Sequence, residues 1–312
     1  MNTFVRDIKY EWTKQNNGLM RLIIVNIAIF VVLKLWFFFE RIFTHSDNPE
    51  AQDTVALNYI IGKISIPAEL SQFIWEPWTL FTFSFVHFDL LHLVFNMFML
   101  YWFGRLVAEF MGNQKLLALY ILGGVGGGLL YLLLYNTVPF FMNLSDKVGP
   151  GMIGASASIY AIIVGIATLL PDHQIYLLFF GPVKLKWVAA VTVFLSYISM
   201  AGYANQGGNV AHVGGALLGY VFVQQLRRGN DMSLFLARSI DWVKRQFKSK
   251  PKGSKAGRAD DRRGAGGSNK NGGSANPSQD EVDRILDKIV DKGYESLTQE
   301  EKQILFKASQ KK

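Results

Sequence analysis

His87, His92 and Asn96 lie in or beside one apolar stretch of the chain, Ser156 and Ser158 in a second, and His212 in a third. A serine and a histidine brought together from different helices are the minimum for nucleophilic catalysis. The imidazole takes the hydroxyl proton, and separate donors stabilise the oxyanion that develops. His92 and Asn96 are four residues apart, so both face one side of a helix and can aim two donors at one point. Each residue also has an ordinary explanation. A serine in a Gly/Ala-rich helix commonly bonds its own backbone, and a single buried His or Asn can join neighbouring helices. The case for chemistry rests on the set. Ser156 and Ser158 compete for one role, because residues two apart on a helix point about 200° away from each other. His87 and His92 are five apart with no H-E-x-x-H, and the chain has no cysteine, so neither a zinc site nor any other cofactor is expected.

Placing these side chains requires membrane helices. Charged residues make up 18% of the 312-residue chain, against about 25% in an average soluble domain. Leu22–Phe39 is apolar except for Lys34, Phe88–Gly104 contains only Asp89, and Leu116–Tyr135 and Val148–Pro171 carry no charge. Trp187–Leu226 is also uncharged and is divided by Asn205–Asn209. The expected fold is all-α, a polytopic six-transmembrane helix bundle. Ionisable groups at membrane depth are costly, which makes the histidines functional suspects. A transporter or channel using His and Ser as a proton relay is a rival, but no internal repeat of the kind common in transporters is evident.

Arg6, Lys9, Lys14 and Arg21 precede the first span, Arg105 and Lys115 join the second to the third, Lys184 and Lys186 precede the fifth, and Arg227 and Arg228 follow the sixth. Both termini are therefore expected on the cytoplasmic side. The bacterial plasma membrane is the expected host, which fits the absence of a transit peptide, and a cleavable signal peptide is not expected because the N-terminus is polar for some twenty residues. The long external loop, about 40–86, carries Ile64, Ile66, Phe73, Ile74, Trp75 and Trp78 and suits the membrane interface.

The net charge of +8 is concentrated in one stretch, Arg238–Lys270, which holds eleven Lys/Arg against three Asp. A local basic tail of this kind does not predict nucleic-acid binding. Three regions follow: a membrane core over 1–228, a basic, Gly/Ser-rich juxtamembrane segment and linker over 229–278, and a small cytoplasmic helical hairpin over 279–312. In the last, Thr298 and Glu301 match a capping box. Its core is small, so a partner for the hairpin is plausible, and the membrane core is expected to work without it.

The polar motifs resemble the rhomboid family of intramembrane serine proteases. Gly154-Ala155-Ser156-Ala157-Ser158-Ile159-Tyr160 is similar to the family's Gly-x-Ser-x motif with its downstream Tyr, and Ala211-His212-Val213-Gly214-Gly215, followed by Gly219, to its last helix. His87-Phe88-Asp89-Leu90-Leu91-His92-Leu93-Val94-Phe95-Asn96 matches its second-helix pattern, and Glu109 and Gly112 after that helix also fit. The likeness covers about Phe73 to Arg228. It implies Ser156 as nucleophile and His212 as general base and later acid, a dyad with no third carboxylate. It further implies an oxyanion hole from His92, Asn96 and the Ser156 amide, Tyr160 packed on His212, and His87 supporting the loop above the site. Gly215 and Gly219 would let the sixth helix approach the fourth. Implied partners are transmembrane protein substrates and the lipid bilayer. Two positions depart from the family pattern: Ala157, where Gly is usual, and Thr79, where Arg is frequent. An inactive relative that binds membrane clients is the alternative.

Overall fold

The structure, a computed structural model, describes residues 17–43, 59–144, 151–177, 181–202, 205–247, 279–292 and 297–309, together with Thr13. Part of the 40–86 loop, Gly149 and Pro150, most of the linker and the break after Lys292 lie outside the described residues. Two compact units are distinguished, Met1–Ser249 and Lys250–Lys312.

In the first unit a helix falls on each expected apolar window: α1 Gly18–Phe43, α2 Leu90–Phe110, α3 Asn113–Thr137, α4 Ser156–Leu169, α5 Leu185–Ser199 and α6 Gln206–Arg227. Three described stretches are long and apolar enough to cross a membrane, namely Gly18–Glu40, Leu90–Phe110 and Asn113–Thr137, while α4 and α5 are shorter apolar helices. A further helix, α7, spans Met232–Phe247. The outward faces of the bundle are apolar, with Trp36, Phe39, Phe95, Phe98, Phe194 and Leu195 all exposed, as expected of surface solvated by lipid.

Local chemistry sets the helix ends. Asp89 caps α2 by accepting the amide of His92 at 2.8 Å, which satisfies a donor that the first turn leaves open. Gly112 turns the chain from α2 into α3 with φ +87°, a conformation that L side chains avoid. At the far end of α4 the last carbonyls are supplied from α6: the Arg227 guanidinium donates to the Thr168 carbonyl at 2.6 Å. Buried Asn26 of α1 donates to the Tyr120 hydroxyl of α3 at 3.0 Å, and Tyr120 donates to the Ser84 carbonyl at 2.7 Å. This relay ties α1, α3 and the loop before α2 together without leaving a buried polar group unpaired.

The core is a seam between α3, α4 and α6 from which side chains have been removed. A Cβ on Gly215 would lie 2.0 Å from the Ala157 carbonyl oxygen, and one on Gly219 would lie 2.2 Å from that of Ala161. On the other flank of α4, a Cβ on Gly127 would meet the Ala157 methyl at 2.6 Å, and one on Gly123 the Ala161 methyl at 2.3 Å. Lipid tails are as apolar as leucine, so membrane helices gain by close packing, and small residues permit it.

Three expectations need correction. The fourth helix begins at Ser156, later than the uncharged Val148–Pro171 stretch suggests, because residues 151–154 take a non-helical, glycine-dependent course: Gly151 and Gly154 have φ of +102° and +121°. Met152 pairs there with Ile66 of the segment before α2 through two 3.0 Å backbone bonds. Glu109 lies inside α2, which continues to Phe110. The all-α expectation is met except between α4 and α5, where an antiparallel ribbon pairs β1 Gln174–Leu177 with β2 Gly181–Lys184, Gln174 opposite Lys184. Lys186 and Lys184 flank Asp172 beside it and pull its carboxyl down to about 2.

The second unit contains α8 Gln279–Lys292 and α9 Gln299–Ser309. The capping box is present: Glu301 accepts from the Thr298 amide at 2.8 Å, and the Glu301 amide donates to the Thr298 hydroxyl at 3.3 Å. Lys288 of α8 pairs with Glu301 of α9 at 2.8 Å.

Candidate active site

Ser156 is the first residue of α4 and His212 the seventh of α6. The glycine seam brings these helices together at that level, and Ser156 Oγ lies 2.7 Å from His212 Nε2. Both residues are only partly buried, so a substrate or water can reach them. Tyr160, one helical turn beyond Ser156, stacks its ring on the His212 imidazole with centroids 4.3 Å apart and planes 6° from parallel. The stack fixes the plane of the imidazole, and the hydrogen bond fixes its rotation.

The loop leading into Ser156 is held from several sides. The Gly154 amide donates to the Phe83 carbonyl at 2.9 Å, and the Ala155 amide donates to His87 Nε2 at 3.3 Å. His87 is fully buried, and its ring meets that of His92 edge-on at 5.1 Å. His92 comes in turn against Gly154, where an added Cβ would lie 2.9 Å from its Cε1. The glycine two residues before Ser156 is thus required twice, by its positive φ and by the imidazole packed on it. Asn96 is buried on the same face of α2 and donates one amide proton to the His92 carbonyl at 2.8 Å, which leaves its second N–H for another acceptor.

Ser158 faces elsewhere. It is fully buried with no hydrogen-bond partner for its hydroxyl, and it lies beside Gly124 of α3. The methyl of Ala157 points into the seam toward Gly127 and is 1% exposed. Thr79 is buried, its hydroxyl donating to the Glu76 carbonyl at 2.6 Å, while Glu76 pairs with Lys63. Around it the Trp78 indole donates to the Lys63 carbonyl at 2.8 Å, and Trp75 is 81% exposed, as suits residues at a membrane interface. Among the described residues, no group of three or more His, Cys, Asp or Glu is arranged to hold a metal ion.

One neighbour of the pair escaped the sequence reading. Ser196 of α5 lies 3.0 Å from His212 Nδ1 and donates to the Tyr160 hydroxyl at 2.8 Å. Its signal was weak but present: Leu185, Ala189 and Ser196 form the buried stripe of α5, and Ser196 is the one polar residue in it.

Fold and site define a helical membrane protein whose bundle encloses a serine–histidine pair. The rhomboid domain family matches residues 74–228, and a family of unknown function, DUF6576, matches residues 275–311. The chain belongs to the rhomboid family. It is 32% identical over 162 residues to RHOMBOID-like protein 12, mitochondrial, of Arabidopsis thaliana, covering 48% of this chain and 47% of that protein. To Rhomboid protein 1, mitochondrial, of Saccharomyces cerevisiae it is 27% identical over 221 residues, 68% of this chain and 54% of the relative. To the rhomboid protease GlpG of Haemophilus influenzae it is 28% identical over 161 residues, 50% of this chain and 74% of the relative. The chain thus spans about half the length of the plant and yeast relatives.

Proposed function

We propose that the protein is an intramembrane serine endopeptidase that cleaves membrane-anchored proteins in or near their transmembrane segments. The observation that carries this reading is the 2.7 Å contact between Ser156 Oγ and His212 Nε2 across two packed helices. His212 takes the hydroxyl proton as Ser156 Oγ attacks the scissile carbonyl. The imidazolium then gives that proton to the leaving amine, and the acyl-enzyme is hydrolysed by water activated on the same nitrogen. His92, the free N–H of Asn96 and the Ser156 amide are the proposed oxyanion donors, and His87, Gly154, Tyr160, Gly215 and Gly219 keep the site in shape. The substrate needs an unwound segment at the cut, because a helix conceals its carbonyls in internal bonds.

The six helices α1 to α6 are proposed as six spans, with both termini on the Lys/Arg-rich side. Ser156 then opens α4 near the external face, and His212 lies roughly 9 Å along α6 from its start. Two of the three relatives are named mitochondrial and the third is from a bacterium. The bacterial plasma membrane expected from the sequence therefore gains no support over a mitochondrial one. The region boundaries at 228 and 278 are proposed as domain boundaries, with 279–312 open to a separate partner. The alternative, an inactive client-binding relative, drew on Ala157 and Thr79, and the buried contacts of both side chains supply no ground for it.

The test is cleavage of a tagged transmembrane substrate by the detergent-solubilised full-length protein. Ser156→Ala and His212→Ala are each expected to reduce the rate by about 10³-fold or more, and a chelator to leave it unchanged. Undiminished cleavage in either variant would remove the dyad.

A further inference from the structure

We infer that Ser196 is the positioning residue that fixes the tautomer of His212, occupying with a neutral hydroxyl the place that a carboxylate holds in a three-membered serine protease site; this rests on the proposed protease reading. The two ring nitrogens of His212 are taken by two hydroxyls, Ser156 at Nε2 and Ser196 at Nδ1, and not by a carboxylate.

The contacts behind His212 give its hydrogen-bond chain a direction. It ends at the Thr192 carbonyl, which can only accept, so the single proton of the Tyr160 hydroxyl points there at 3.3 Å. Tyr160 oxygen is then an acceptor, and it receives the hydroxyl proton of Ser196 at 2.8 Å. With that proton committed, Ser196 Oγ can only accept from His212 Nδ1 at 3.0 Å. The imidazole proton therefore resides on Nδ1, and Nε2 presents its lone pair to Ser156. That is the form a general base must take.

The ordinary fate of a hydroxyl on an apolar helix is a bond to the carbonyl four residues back. Thr137, Thr168 and Thr192 all follow it, bonding Leu133, Val164 and Val188. Ser196 does not. Its proton crosses to α4 and its lone pair faces α6, so one buried hydroxyl on α5 links the two helices that carry the dyad. Chemically this is a neutral second partner: it selects the tautomer and the ring rotation without placing a negative charge beside the imidazolium.

The experiment uses full-length protein labelled with ¹⁵N-histidine, whose ring-nitrogen shifts distinguish the tautomers, together with cleavage kinetics on the same samples. The wild type is expected to show His212 protonated at Nδ1. Ser196→Ala should give a mixture of tautomers and lower kcat by about 10-fold at unchanged KM, the scale of one neutral hydrogen bond. Ser196→Thr, which restores the hydroxyl, should recover both readouts. Tyr160→Phe, which keeps the ring stack but frees the Ser196 proton to turn toward Nδ1, should shift the tautomer in the same direction. It also decides the question if Ser196→Ala does not fold. A wild-type ring protonated at Nε2, or Ser196→Ala with wild-type shifts and kcat, would overturn the inference. Cleavage that survives Ser156→Ala would instead overturn the protease reading, and the nitrogen spectrum would still decide the tautomer.

Discussion

Where α4 meets α6, backbone meets backbone: Gly215 and Gly219 lie against the carbonyls of Ala157 and Ala161 with no room for a methyl. Where α5 meets the same two helices, the contact is made by side chains, Ser196 to Tyr160 and to His212. The first arrangement sets a distance and the second sets a proton. Steric contact at the seam determines how far apart Ser156 and His212 stand, since a bundle cannot close further than its atoms allow and has no filler to hold it open. The α5 flank adds little packing, with three buried residues in fifteen, and what it adds is directional. The dyad needs both, and the two regions should fail in different ways when altered.

The largest effect is expected from the seam. Gly215→Val would drive α6 away from α4, because the new Cβ lies 2.0 Å from a backbone oxygen that cannot rotate aside. Cleavage should fall below detection, and the thermal midpoint should drop with a destabilisation of about 1–3 kcal/mol. A cleaving, equally stable Gly215→Val protein would break the comparison. At the proposed oxyanion hole, Asn96→Ala would remove one donor and should lower kcat by about 10²-fold with little change in KM. Steady-state kinetics check this, and an equal rise in KM would point to a binding role. The smallest effect belongs to Ser158. Its hydroxyl is buried without a partner, so Ser158→Ala should keep cleavage within about 2-fold and leave stability equal or up to about 1 kcal/mol higher, as when an unsatisfied group is removed. Cleavage and melting curves on one preparation read both.

Much of this was legible from letters alone. Runs of uncharged residues located α1 to α6 because lipid demands apolar length, and the spacing of His92 with Asn96 and of Gly215 with Gly219 follows helix geometry. Other features depend on contacts between distant segments, which periodicity does not encode. The late start of α4 comes from positive φ at Gly151 and Gly154 and from the Met152–Ile66 bridge. The β1–β2 ribbon forms between helix ends, in a stretch whose composition reads as loop. Ser196 was missed because a serine in an apolar helix is unremarkable until the partners of its oxygen are known. The direction of the Ala157 methyl, into the seam toward Gly127, is likewise set by packing that the letters do not encode.

The central claim is that His212 makes Ser156, and not Ser158, a nucleophile. The most direct measurement is fluorophosphonate labelling of the purified full-length protein with the modified peptide identified by mass spectrometry. The account predicts label on Ser156 in the wild type and in Ser158→Ala, and none in Ser156→Ala or His212→Ala. Label on Ser158, or undiminished labelling of Ser156 in His212→Ala, would contradict it.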